Sequence, residues 1–356
     1  MTALPPGATI GILGGGQLGR MTALAAARLG YRCHVFCPEK DAPASAVAAA
    51  TTCAPYENVG AQARFAAAVD VITYEFENIP LAPVEALAAL KPVRPAPAAL
   101  AVCQDRILEK SALRDAGIGT ASFRPVRAIA DLDGAAFPAI LKTARLGYDG
   151  KGQALVAGRA EAEAAFARFR AVPCVLEEVV DFACEISVIA ARDEAGRIEC
   201  YVPVENRHRD HILDETIAPA RIAPSLAAEA KAVARRIAES LGIVGLIAVE
   251  MFATSDGRVL VNELAPRPHN SGHWTVDACA TSQFEQLVRA ICGLPLGSPE
   301  RHSDAHMKNL IGDEAGSWAT LLADAAVRLH LYGKAEPRPG RKMGHATRLF
   351  PRGDAR

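Results

Sequence analysis

The sequence predicts an α/β protein of more than one domain, and three observations carry that expectation. From Thr9 onward, short apolar runs alternate with amphipathic stretches, the pattern of strands joined by helices into a parallel sheet. In the middle of the chain some apolar runs lie closer together, as antiparallel strands allow. Two stretches rich in proline and glycine, Lys91–Pro97 and the segment after Ile291, interrupt both patterns and read as connectors. Over 356 residues these divide the chain into domains at 1–103, 104–292 and 293–356.

Each element follows from local chemistry. Thr9–Leu13 reads as the first strand, Leu18–Leu29 as a helix ended by Gly30, and Arg32–Phe36 as the second strand. Val71–Tyr74 is a further strand and Val84–Leu90 a helix. Lys91–Pro97 carries three prolines in seven residues, which no central helix or strand tolerates. Arg106–Ala116 is helical, with Gly117 beyond its end. Ala139–Lys142, Gln153–Val156, Val175–Glu178 and Glu185–Ala191 read as strands. Ser225–Leu241 is a long helix with Ser225 as N-cap and Gly242 past its C-terminus. Gly245–Phe252 and Val259–Leu264 flank Asp256-Gly257, a dipeptide favoured in two-residue hairpin turns.

Composition removes whole classes of function. Half the residues are hydrophobic and 22% charged, the balance of a globular protein with a full core. Thirty-nine Lys and Arg against 40 Asp and Glu give a net charge of −1, without the basic excess that duplex nucleic acid demands. The longest charge-free stretch, Met1–Gly19, holds two prolines and a glycine cluster, so it reads as neither signal peptide nor membrane span. Nine cysteines, an odd number with no CxxC pair, read as reduced, buried thiols in the cytoplasm.

Two motifs point to nucleotides. Gly14–Gly19 fits G-x-G-x-x-G after the first strand, and Glu39 lies where a dinucleotide fold holds a ribose hydroxyl. The loop serves either a phosphate-bearing ligand at the helix N-terminus or a tight turn that needs glycine for packing. The rest of the chain speaks against NAD. In ILKTARLGYDGKGQ (Ile140–Gln153), Lys142 ends an apolar strand before a glycine-rich turn, and Walker A spacing is absent. Such a loop between two strands can fold over a triphosphate while the strand lysine meets the phosphates. If Asp256-Gly257 forms the hairpin turn, Glu250 and Glu263 fall opposite each other on one face. Facing carboxylates repel, and a divalent cation such as magnesium relieves them. Glu177-Glu178-Val179-Val180 ends an apolar strand shortly before Glu185, and such a hinge can meet an adenine edge and ribose hydroxyls.

These residues carry a resemblance. GILGGGQLGRM (Gly11–Met21), YEFENIP (Tyr74–Pro80), QDRILEK (Gln104–Lys110), GYDGKGQ (Gly147–Gln153) and ENRH (Glu205–His208) resemble segments of the ATP-grasp superfamily. With VNELAPRPHNSGHWT (Val261–Thr275), SQFEQLVRAICGLPLG (Ser282–Gly297), HLYGK (His330–Lys334) and GRKMGH (Gly340–His345), the chain is similar to its N5-carboxyaminoimidazole ribonucleotide synthetase family over nearly its whole length. The resemblance implies an α/β ATP-grasp fold with a Rossmann-like pre-ATP-grasp N-terminal domain, a mobile lid subdomain around 123–182 and a small C-terminal domain. It implies a ligase of purine biosynthesis that joins bicarbonate to 5-aminoimidazole ribonucleotide through carboxyphosphate, with ATP as co-substrate and Mg2+ as cofactor, as a cytoplasmic homodimer.

By the same resemblance ATP meets Arg106, Lys142, Gly147, Tyr148, Asp149, Gly150, Lys151, Gly152, Gln153, Glu177, Val180, Glu185, His208, Asn262 and Glu263. Glu250 and Glu263 match magnesium ligands. The ribonucleotide would meet Gly15, Gly16, Gln17, Leu18, Glu75, Asp149 and Ser271. His211 departs from the family pattern, in which a small residue is common there. Arg267, fixed between Pro266 and Pro268 and followed by His269 and Asn270, suits a planar anion and is assigned to bicarbonate, with Lys142 completing the catalytic set. A zinc HxxxH from His269 and His273 is disfavoured because the prolines oppose the helix it needs. Lys334, Arg341 and Lys342 lie within nine positions broken by Pro337, Pro339 and Gly340, and can converge on a monophosphate. Another carboxylating or formylating ATP-grasp ligase and an NAD-dependent oxidoreductase are the alternatives.

Overall fold

The computed structural model describes residues 3–147 and 150–353, which three sheets organise. The first is wholly parallel: β1 (Thr9–Leu13), β2 (Arg32–Cys37), β3 (Ala50–Cys53) and β4 (Val71–Tyr74). Its order is β3-β2-β1-β4. The chain therefore leaves β1 to one side first and returns on the other, which opens a crevice at the carboxyl end of β1. Ile12 and Leu13, on opposite faces of β1, enter separate cores, as a sheet covered on both sides requires.

The second sheet is antiparallel and smaller. It contains β5 (Phe123–Val126), β6 (Ala139–Thr143), β7 (Gln153–Val156) and β8 (Cys174–Glu178), in the order β5-β8-β6-β7. The helix Arg159–Arg168 lays Ala162, Ala165 and Phe166 against Leu141 and Val156. Strand alternation then turns Lys142 to the opposite face, where it pairs with Gln153, and where Ile140 pairs with Glu177.

The third sheet comprises β9 (Phe182–Arg192), β10 (Ile198–Cys200), β11 (Val204–Arg209), β12 (Ile212–Ala218), β13 (Gly245–Thr254), β14 (Val259–Ala265), β15 (Asp304–Ile311), β16 (Val327–Leu331) and β17 (Lys342–Phe350). Its path runs β14-β13-β9-β11-β12-β15-β17-β16, with β10 beside β9. The C-terminal strands thus extend the central sheet, joined through Ala218 and Ala305. Ile186, Val188 and Ala190 pack with Ala230 and Ala234 of helix Pro224–Ser240, whereas Ile189 and Ala191 share a core with Leu287 and Val288 of helix Gln283–Ile291. Burial on both faces explains the continuous apolar run of β9. No helix among the described residues is long and apolar enough to cross a membrane.

Two local expectations are corrected. Helix Pro224–Ser240 starts at Pro224, with Ala223 rather than Ser225 at the cap; proline at the first helical position lacks only an N–H that would have gone unpaired. The hairpin turn is three residues, Ser255–Gly257, not two. Thr254 N–H bonds the Arg258 carbonyl at 3.0 Å, and Gly257 takes the positive φ of +82° that closes such loops. This offsets the pairing by one, so Ala253 faces Val259. A bulge at Asn262 moves it back, and Glu250 faces Glu263 after all. The expected pair forms because two offsets cancel.

Candidate active site

A cleft of about 770 Å³ lies where the three sheets approach one another. The face of the second sheet contributes a line of charges. Lys142 Nζ is 2.9 Å from Glu177 Oε2, and Lys110 Nζ is 3.3 Å from Glu177 Oε1. Burial opposes charge on Glu177, but the two lysines hold its carboxyl below the usual range. Its side chain is thus spent on positioning Lys142, not on reaching a ligand. Asn262, the extra residue of the bulge, places Oδ1 3.4 Å from Lys142 Nζ. Arg106 donates to the carbonyls of Thr143 and Gly147 at 3.2 and 3.1 Å and approaches Glu263 at 3.5 Å, tying the base of the glycine-rich turn to the hairpin.

Glu250 and Glu263 form the acidic centre. Burial pushes both carboxyls up; His269, whose Nε2 is 2.8 Å away, overrides it for Glu250, which falls to about 2. Glu263 remains raised, by burial and by the charge of Glu250. Two oxygen donors facing each other under mutual repulsion fit a hard divalent cation. Glu109, also on the cleft, is pushed up to about 8 by burial and accepts the Leu264 N–H at 2.6 Å.

The loop after β14 adds donors. Arg267 is held by an ion pair with Glu77 and by its bond to the Pro268 carbonyl at 2.9 Å. Asn270 lines the cleft with both amide atoms unpartnered among the described residues, although the side chain is buried. A buried carboxamide in that state has a donor and an acceptor to offer to the cleft. Ser271, expected at the substrate, is fully buried: its hydroxyl lies 2.8 Å from His269 Nδ1 and 2.7 Å from Ser187 Oγ. It supports His269 instead.

The glycine loop is also corrected. Glu75 accepts the N–H groups of Gly16 and Gly19, the latter at 2.8 Å, so a side chain already fills the helix N-terminus. A Cβ on Gly16 would stand 2.5 Å from Glu75 Oε1, which is why glycine is needed there. Glu39 is exposed, Gly15 packs on Ala42 and Cys37, and the dinucleotide reading fails for want of a phosphate seat. Gln17 and Leu18 do line the cleft.

Among the remaining expected residues, Gly147, Gly150, Lys151, Gln153, Glu185, His208 and Lys342 line the cleft. Burial opposes charge on His208, but Glu185 at 3.4 Å holds its pKa above the usual value. Gly152 sits beside Thr143, and Val180 is half-buried just past β8. Tyr148 and Asp149 lie outside the described residues. His211 reaches the cleft after all, from a hairpin turn in which Asp210 and His211 both take positive φ. Lys334 donates to the Lys342 carbonyl at 2.6 Å, whereas Arg341 turns to the Glu336 carbonyl at 2.8 Å. Arg20, whose guanidinium lies near Gly333, donates to the Pro43 carbonyl at 3.2 Å and was not among the candidates. Glu77 and Lys110 were missed too, although both lie inside quoted motifs.

A second polar cluster, Asp277, His330 and His345, sits beneath the C-terminal strands. The two imidazoles stack at 4.6 Å and 12°, so their lone pairs run in near-parallel planes and do not converge on an ion.

Known protein families match most of the chain. Residues 7–104 match the ribonucleotide synthetase preATP-grasp domain, 111–284 the ATP-grasp domain and 305–355 the phosphoribosylaminoimidazole carboxylase C-terminal domain. The chain is 49% identical over 357 residues to the N5-carboxyaminoimidazole ribonucleotide synthase of Brucella melitensis biotype 1, covering 99% of each. It is 47% identical over 370 residues to the bifunctional purine synthesis protein of Dictyostelium discoideum, covering 97% of this chain but spanning only 37% of that protein. Among solved structures, an ADP complex of an N5-carboxyaminoimidazole ribonucleotide synthetase superposes with a TM-score of 0.94 at 43% identity, covering 98% of this chain and 94% of the other. The Aspergillus clavatus synthase with ADP and 5-aminoimidazole ribonucleotide gives 0.90 at 30%, covering 97% and 94%.

Proposed function

The chain belongs to the N5-carboxyaminoimidazole ribonucleotide synthase family of ATP-grasp ligases, and we propose that its cleft uses ATP to carboxylate 5-aminoimidazole ribonucleotide with bicarbonate. The observation that carries this reading is one cleft holding Lys142, the paired Glu250 and Glu263, and the Arg267–Asn270 loop together.

In this reading a bicarbonate oxygen attacks the γ-phosphorus, the bond to the β-phosphate oxygen breaks, and ADP and carboxyphosphate result. Lys142 and the glycine-rich turn bind and orient the phosphates, which is most of what phosphoryl transfer asks of a protein. Magnesium, held by Glu250 and Glu263, would supply neutralisation of phosphate charge. Arg267 and Asn270 hold the bicarbonate, and His269 fixes Glu250. The exocyclic amine then forms the new C–N bond as the C–O bond to the phosphoryl group breaks, and the departing phosphate takes the amine proton. Both carboxyphosphate and CO2 are lost to water, so closure of the second sheet over the cleft protects them. Gln17, Leu18, Lys334, Arg341 and Lys342 take the ribonucleotide, with Glu75 and Ser271 as supports. The same reading takes three functional units at 1–103, 104–292 and 293–356, the cytoplasm as compartment and a homodimer as the working form.

The test is ADP release with each substrate omitted in turn. Release should require bicarbonate and rise strongly with the ribonucleotide. Equal release with formate in bicarbonate-depleted buffer would favour a formylating relative instead.

A further inference from the structure

We propose that Lys110 is a positioning residue that balances Glu177 and so leaves the charge of Lys142 to the nucleotide phosphates. The inference rests on Lys142 meeting those phosphates, as above. Lys110 is 1% exposed; it forms an ion pair with Glu177 Oε1 at 3.3 Å and donates to Thr120 Oγ1 at 3.0 Å and the Asn262 carbonyl at 3.4 Å. Lys110 and Lys142 thus meet different oxygens of one carboxylate. One carboxylate between two ammonium groups leaves a single net positive charge. Without Lys110, Glu177 and Lys142 would cancel, and an arriving phosphate would meet a dipole rather than a cation.

The cost of the arrangement argues for a purpose. Burying a lysine and a glutamate carries a large desolvation penalty, and apolar or neutral side chains of similar volume often serve stability better. A methionine at 110 with a glutamine at 177 would fill the same space. The neighbouring Glu109 also feels the charge of Lys110, but burial opposes its ionisation and its carboxyl accepts the Leu264 N–H on β14.

The experiment is calorimetric titration of the full chain with ADP and, separately, with 5-aminoimidazole ribonucleotide. Lys110→Met should weaken ADP by about tenfold or more, the scale of one buried charge left unbalanced. The double variant Lys110→Met/Glu177→Gln removes the opposing charge as well but keeps a side-chain oxygen to accept from Lys142, and should return ADP affinity to within about threefold of the parent. Ribonucleotide affinity should stay at the parental value in both. A purely structural role would instead lower the melting temperature of Lys110→Met and leave the ADP affinity of its folded fraction at the parental value. Parental ADP affinity in Lys110→Met, or a double variant as weak as the single, overturns the proposal. If Lys110→Met does not fold, Glu177→Gln decides: with both lysines unopposed it should bind ADP more tightly than the parent, and parental or weaker binding overturns the proposal. A parent chain that binds no ADP would overturn the function instead.

Discussion

Lys334 shows how one residue's surroundings set a measurable property. It lies over the Tyr332 ring at 5.7 Å, half-buried, and burial together with Arg341 pushes its pKa down to about 8. A lysine so depressed is a cation below that pH and neutral above it. If it meets the ribonucleotide phosphate, kcat/KM for the ribonucleotide should fall as pH rises through about 8, because this ratio reports ionisations of the free enzyme. The ratio for ATP at saturating ribonucleotide should lack that step, and Lys334→Met should abolish it. A step that survives in Lys334→Met would assign the ionisation elsewhere. The residue's type and spacing were legible in the sequence, but its depressed pKa was not, since burial against Tyr332 depends on how β16 and β17 pair.

The β13–β14 hairpin carries the next argument. Glu250 and Glu263 face each other across it, and cross-strand like charges cost a few tenths to about 1 kcal/mol. Glu263→Gln should therefore leave metal-free thermal stability unchanged or raised by that amount. It should also increase the magnesium needed for half-maximal turnover by about tenfold, the loss of one charged ligand. Parental magnesium dependence in this variant would remove the cation from the hairpin. The sequence announced this pair through Asp256-Gly257, but for an incomplete reason. Gly257 was recognised as a turn residue; that Ser255 joins the loop, and that Asn262 bulges to restore register, depends on bonds no local pattern displays. The bulge also aims Asn262 at Lys142, so the irregularity and the site are one feature.

At the scale of the whole molecule, three sheets supply one cleft, and each contributes what the others lack. The parallel sheet offers the crevice beyond β1, the small sheet carries Lys142, and the long sheet carries both the acidic hairpin and Lys342. Helices and strands with strong periodicity, and the motifs strung along them, were readable from the chain alone. Partners separated by long stretches were not: Glu75 beneath Gly16 and Gly19, Glu77 on Arg267, and Lys110 beside Glu177 unite residues from 56 to 190 positions apart, or through a third strand. Charge compensation in a folded interior has no sequence period, so only the structure displays it. In the proposed reaction bicarbonate is phosphorylated before nitrogen attacks it. Turnover with bicarbonate labelled by heavy oxygen, followed by mass analysis of the released inorganic phosphate, tests that step directly. One labelled oxygen is expected in each phosphate formed with product, whereas product accompanied by unlabelled phosphate would contradict such a step.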